Sequence, residues 1–299
     1  MARPARPRRE AKTMFRTLKR KKSLKIGLAL GGGGARGLAH IPVLEALDDC
    51  GLRPSVIAGT SMGAIIGALY ASGLSGREIR ERVSRPFISK KDTWRDIVAR
   101  KSDVLKLVSA FAAEFPRGGL VSTRGFIAYL FSEIKKQTFE ELEIPLVAIA
   151  ADFWSAEQVA FERGKLFPAL QASMAVPGVF APVQADGRVL VDGGVVNQVP
   201  YDLLLKRADF TIAVDVSSAR GRGSKEIPGA VESVLEAFNI MQTAALAEKM
   251  KYSKPDIYLR PDIQGVRIFD FGKLDEVFRQ AAPAAEKLRQ QLKGLAPNK

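Results

Sequence analysis

Apolar residues recur along this chain with two periods, and the switches between them outline alternating strands and helices. Ile26-Gly27-Leu28-Ala29-Leu30 is a short apolar run closed by four glycines; Leu38, Ile41, Val43, Leu44 and Leu47 then follow at helical spacing. Val56-Ile57-Ala58 predicts a second strand, broken by Gly59-Thr60-Ser61-Met62-Gly63, and the small apolar residues from Ala64 to Tyr70 predict a buried helix. The chain therefore begins βαβα. Further on, Thr123 to Lys136 reads as a helix, Pro145 to Ala151 as a buried strand and Val159 to Glu162 as its hairpin partner. Arg188 to Val191 and Phe210 to Val216 are further strands, the second apolar apart from Asp215, as strands buried on both faces tend to be. Ala230 to Lys251, Asp256 to Leu259 and Leu274 to Leu292 add a helix, a strand and a closing helix.

From Pro86 to Gly119 the pattern is irregular and charged. Its amphipathic stretch, Asp96 to Phe115, suits either a lid or membrane-facing cap, or a helix packed on the sheet. No internal repeat is visible. Strands alternating with helices predict a three-layer α/β/α fold with a mainly parallel sheet.

The chain has 299 residues, 46% of them apolar, enough for a large core and incompatible with disorder throughout. The expected organisation is a basic tail over 1–22, read as disordered, and a single domain over 23–299 with its motif core in 25–216 and the possible cap at 86–119. Charge is the reason for separating the tail. Met1 to Lys22 holds ten bases and one acid, so +9 of the formal +14 lies there. A basic balance points to anionic membrane or nucleic acid, yet here that signal speaks for partners and not for the fold. A solvated tail is the plain alternative. Cys50 stands alone, which excludes intramolecular disulfides and multi-cysteine metal sites and fits a reducing compartment. Lys25 and the shortness of Ile26 to Leu30 argue against a signal peptide, and no apolar stretch approaches the ~18–20 residues of a spanning helix. A cytoplasmic, soluble or membrane-peripheral protein is expected.

Gly32-Gly33-Gly34-Ala35-Arg36-Gly37 satisfies G-x-G-x-x-G between a predicted strand and helix, as a dinucleotide fold requires. That reading also needs an acidic residue at the end of the second strand. The second strand instead runs into Gly59-Thr60-Ser61, while Asp48 and Asp49 end the intervening helix. The other use of such a loop is a row of unblocked N–H groups that attract phosphate or a developing oxyanion. A tight turn alone accounts for one or two glycines and poorly for four.

Gly59-Thr60-Ser61-Met62-Gly63 is G-x-S-x-G, the sharp strand-to-helix turn that projects a serine above a sheet, with Gly59 and Gly63 preventing collisions. Glycine loop and serine end neighbouring predicted strands, so both can converge on one sheet edge. The serine needs a proton acceptor. His40 is the only histidine; it lies in the helix opened by the glycine loop, where its side chain is expected to point away along that helix. The better candidate is Asp192, in Val191-Asp192-Gly193-Gly194, a turn aspartate that serves either the turn alone or as a general base. A free carboxylate, with pKa ~3.9, is a weak base for an alcohol. Such a dyad relies on alignment and on oxyanion donors, each supplying about 3–4 kcal/mol.

Together these residues resemble the patatin-like phospholipase family, whose bacterial members carry a G-G-G-x-R-G loop, a G-x-S-x-G nucleophile and a D-G-G or D-G-A aspartate. Ala172-Ser173-Met174-Ala175-Val176-Pro177-Gly178-Val179-Phe180-Ala181-Pro182 is also similar to the family's A-S-x-x-x-P-x-x-F-x-P stretch. The resemblance implies that Ser61 is acylated by a lipid ester while Asp192 removes its proton and later activates water. Gly32, Gly33 and Gly34, with Arg36 close by, would stabilise the oxyanion. It also implies a patatin-type α/β/α domain related to the α/β hydrolases, no cofactor or metal, and a structural His40. The rivals are a regulatory protein that binds an anionic membrane or nucleic acid through the tail, the latter less expected, and a nicotinamide dehydrogenase that lacks its ribose acid.

Overall fold

A computed structural model describes residues 24–88, 129–217 and 229–293. The basic tail, the cap region beyond residue 88 and residues 218–228 lie outside the described residues. Within them the strands are β1 (Ile26–Leu30), β2 (Val56–Thr60), β3 (Leu146–Asp152), β4 (Gln158–Phe161), β5 (Val183–Ala185), β6 (Arg188–Asp192), β7 (Phe210–Val214) and β8 (Ile257–Leu259). The labelled helices are α1 (His40–Asp49), α2 (Met62–Ala71), α3 (Gly76–Ile88), α4 (Leu166–Ser173), α5 (Ala230–Tyr252) and α6 (Leu274–Leu292).

The strands form one sheet with hydrogen-bonded order β5–β6–β3–β2–β1–β7–β8, β4 also pairing with β3. Pairings from β3 through β8 are parallel, whereas β4, β5 and β6 join antiparallel. Side chains alternate across the pleat, and the core divides accordingly. Leu28, Leu30, Ile57, Leu146 and Ile212 point into the larger core with α1, α2 and α6. Ala29, Ala58, Val147, Ile149 and Ala213 point into the smaller one, beneath Tyr201, Leu204 and Leu246 of α5. The result is three layers, and burial on both faces explains why β1 and β7 are almost continuously apolar.

β1 and α6 begin and end where the hydrophobic pattern places them. The expected Thr123–Lys136 helix is described only from residue 129 and ends at 133. β7 stops at Val214, so Asp215 lies past the strand; it is buried, accepting Tyr258 Oη (2.6 Å) and Ser217 N–H (2.9 Å). No helix of the described residues is long and apolar enough to cross a membrane.

One register detail positions the site. Ile149 pairs with both Thr60 and Ala160, and Ala150 with both Asp192 and Val159. Because β4 holds one edge of β3, β2 and β6 must share the other, one after the other. Asp192 therefore arrives where β2 ends and Ser61 begins.

Candidate active site

Ser61 sits between β2 and α2 with φ 55° and ψ −125°, a left-handed conformation that a non-glycine residue adopts only when its surroundings enforce it. The surroundings do. A Cβ on Gly59 would stand 2.6 Å from Ala64 Cα, and one on Gly63 would run into the Leu30 and Gly31 carbonyls. Only glycines let the turn close this tightly. Ser61 N–H donates to Ser173 Oγ (2.9 Å), and Ala64 N–H and Ile65 N–H both return to Ser61 O.

Asp192, at the end of β6, is 2% exposed. Its Oδ1 accepts Gly194 N–H (2.7 Å), and its own N–H donates to Ala175 O (2.9 Å). Burial pushes its carboxyl up to about 6, against opposing hydrogen bonds from Ser61 and Gly194. Ser61 Oγ also lies 3.4 Å from Met174 Sδ, its hydroxyl able to turn to either partner. The Ser173-Met174-Ala175 segment thus touches both residues: Ser173 and Met174 hold Ser61, and Ala175 holds Asp192.

The glycine loop passes beside Ser61, where a Cβ on Gly32 would stand 3.2 Å from Ser61 Cβ. Its four glycines are not equivalent. Gly31 N–H donates to Val214 O (2.9 Å) and Gly32 N–H to Gln198 O (3.1 Å). The expectation that Gly32 offers an oxyanion donor is therefore corrected: its N–H is already engaged. Gly33 N–H and Gly34 N–H have no acceptor among the described residues. Gly34 adopts φ +57°, and a Cβ there would collide with the Ile268 carbonyl, so glycine is required. Arg36 N–H closes onto Gly33 O (3.2 Å). Arg36 is 8% exposed and its Nε has no hydrogen-bond partner among the described residues; burial lowers its pKa, opposed by the charges of Glu236 and Asp215.

His40 is fully buried, but its direction differs from expectation. Nε2 reaches back to Gly31 O (2.8 Å), because helix side chains lean toward the helix N-terminus. Desolvation lowers its pKa to about 4, leaving a neutral imidazole that supports the loop from behind.

Ser61, Asp192, Arg36 and the Gly32–Gly34 loop line one cavity of about 870 Å³, together with Leu235 and Phe238 of α5. Among the described residues no group of His, Cys, Asp and Glu side chains is arranged to hold a metal. Sequence reasoning misses Gln198, Ser173 and Met174 as site residues; Ser173 and Met174 lie in the A-S-x-x-x-P stretch, whereas Gln198 carries no local signal.

A strained serine turn, a nearby buried carboxylate and two glycine amides with no acceptor among the described residues thus border one cavity of an α/β/α fold. The family model for patatin-like phospholipase matches residues 28–205. The chain belongs to that family. It is 31% identical over 277 residues to the "Patatin-like phospholipase domain-containing protein 7" of Rattus norvegicus, covering 84% of this chain and 20% of that protein. It is 28% identical over 286 residues to the "Lysophospholipase NTE1" of Scheffersomyces stipitis, covering 88% of this chain and 18% of that protein. The chain thus spans about a fifth of the length of these relatives. VipD from Legionella pneumophila shares the fold, with TM-score 0.50 and 12% identity over 90% of this chain and 67% of that one.

Proposed function

We propose that this chain is a serine lipid acyl hydrolase that cleaves fatty-acyl esters of phospholipids or related glycerolipids through a Ser61–Asp192 dyad. The observation that carries the reading is the meeting of the strained Ser61 with a buried carboxyl of raised pKa beside two free glycine N–H groups. The names of the relatives place phospholipase and lysophospholipase chemistry in the same family.

In this reading Ser61 Oγ attacks the ester carbonyl carbon as its proton passes to Asp192. Gly33 N–H and Gly34 N–H receive the oxyanion. The tetrahedral adduct collapses, the alcohol leaves with the proton from Asp192, and the acyl group remains on Ser61. Water then attacks the acyl-serine, its proton going to Asp192, and fatty acid departs as Ser61 Oγ regains a proton. A carboxylate with a pKa near 6 is a better base for these steps than an ordinary one, and it is still ionised at neutral pH. His40 takes no part, since its Nε2 is committed to Gly31 O.

The ten bases of Met1 to Lys22 supply a peripheral hold on anionic lipid, at about 1 kcal/mol per residue near the surface, on the cytoplasmic side of a membrane. The test is fatty-acid release from phospholipid vesicles. Wild type releases it, Ser61→Ala and Asp192→Asn do not, and deletion of 1–22 weakens binding to anionic vesicles alone. Release by Ser61→Ala equal to wild type overturns the reading.

A further inference from the structure

Gly31 and Gly32 have every main-chain polar group engaged. Gly31 N–H goes to Val214 O and Gly32 N–H to Gln198 O, while Gly31 O accepts His40 Nε2 and Gly32 O accepts Gln198 Nε2 (2.7 Å). Among the described residues the tethering stops there, immediately before the two amides that have no acceptor. Gly32 C=O and Gly33 N–H belong to one peptide unit, which is planar and trans, so the two groups point in opposite directions. Whatever fixes Gly32 O fixes the aim of Gly33 N–H. Between two glycines the flanking dihedrals are intrinsically permissive, so local chain geometry alone does not fix the orientation of that unit.

We propose that Gln198 is the positioning residue of the oxyanion cradle. Its main-chain carbonyl and its side-chain amide grip Gly32 from both sides, and the side-chain bond holds Gly33 N–H on the cavity side. The inference rests on the hydrolase reading above. Gln198 is 7% exposed, lines the cavity and shares Gly32 with the nucleophile: a Cβ on Gly32 would stand 3.0 Å from Gln198 Oε1 and 3.2 Å from Ser61 Cβ. Its backbone is anchored independently of its side chain. Thr60 Oγ1 donates to Asn197 O (2.8 Å), and Lys249 Nζ donates to Asn197 Oδ1 and Val199 O (both 2.7 Å). Removing the amide therefore deletes the bond to Gly32 O and spares the bond from Gly32 N–H.

The test is Gln198→Met, which keeps length and loses the donor, measured on the full chain with a p-nitrophenyl acyl ester. Loss of an oxyanion donor costs about 10²–10³ in kcat, and a donor left in place but misaimed costs roughly 10- to 100-fold. The expected result is a fall in kcat of that size with KM within about twofold of wild type. The acid limb of the pH profile stays where wild type has it, because Asp192 is untouched. If Gln198→Met fails to fold, Gln198→Ala takes the same measurements. Unchanged kcat, a rise in KM alone, or a displaced acid limb overturns the proposal. Activity in wild type that is lost in Ser61→Ala but unaffected at Gln198 sinks this inference alone; ester turnover that survives Ser61→Ala sinks the hydrolase reading with it.

Discussion

Two buried titratable groups lie on either side of the glycine loop, and burial moves their protons in opposite directions. Asp192, on the cavity side, is raised to about 6; His40, behind the loop, is lowered to about 4. Desolvation dominates both shifts, since it penalises whichever form is charged. The difference lies in what each group faces. Asp192 meets Ser61 and one backbone N–H, so its ionised form is stabilised weakly and stays basic. His40 gives Nε2 to a carbonyl oxygen and works as a fixed neutral donor. A histidine next to the glycine loop thus supports its backbone, and in the proposed dyad the carboxylate would take the place imidazole holds in a Ser-His-Asp triad.

The largest effect that can break this comparison is on turnover. Under the proposed dyad, in which nucleophile and base act as a unit, Ser61→Ala and Asp192→Asn should each lower kcat by about 10³-fold or more, measured as fatty-acid release. Gly63→Ala should act on the fold: its new Cβ meets the Leu30 and Gly31 carbonyls, backbone that cannot yield easily. A loss on the order of 3 kcal/mol by denaturant titration is expected.

Smaller, but sharper for the comparison, is stability against pH. The folded pKa of Asp192 lies above its ordinary 3.8, so its folded state holds more protons than the unfolded chain. Its contribution is fully present below 3.8 and is lost as pH rises toward 6. The folded pKa of His40 lies below its ordinary 6.5, so its contribution is present above 6.5 and is lost as pH falls toward 4. Across the shared window the two slopes oppose and largely cancel. Asp192→Asn removes one of them. That variant should be more stable than wild type at pH 7, by roughly 3 kcal/mol at most. It should then lose about 1.4 kcal/mol per pH unit on acidification through that window, where wild type stays nearly flat. Thermal melts of the two proteins over that range check the prediction; parallel curves would contradict it.

Much of this site was legible because its signals are local. The glycines of G-x-S-x-G are dictated by contacts within one turn, and Asp192 is marked by the glycines after it. Which glycine amides remain free was not legible, since Gly32 N–H is taken by Gln198, a residue far along the chain. The direction of His40 could have been argued from helix geometry alone, because a side chain at a helix start leans back toward the preceding loop. Of the helices, α3 escaped the hydrophobic pattern because six of its thirteen residues are charged, yet its start was signposted. Ser75 and Glu78 form a reciprocal capping box, with Ser75 N–H donating to Glu78 Oε2 (2.8 Å) and Glu78 N–H to Ser75 Oγ (3.2 Å). The short α4 and β5 carry too few residues for either period to declare itself.

The most direct test of the pairing of Ser61 with Asp192 is the rate at which a fluorophosphonate probe labels Ser61, followed by mass spectrometry across pH. The account predicts labelling that rises as pH passes through about 6 and that collapses in Asp192→Asn at every pH. Labelling of Ser61 that proceeds at the wild-type rate in Asp192→Asn would contradict it.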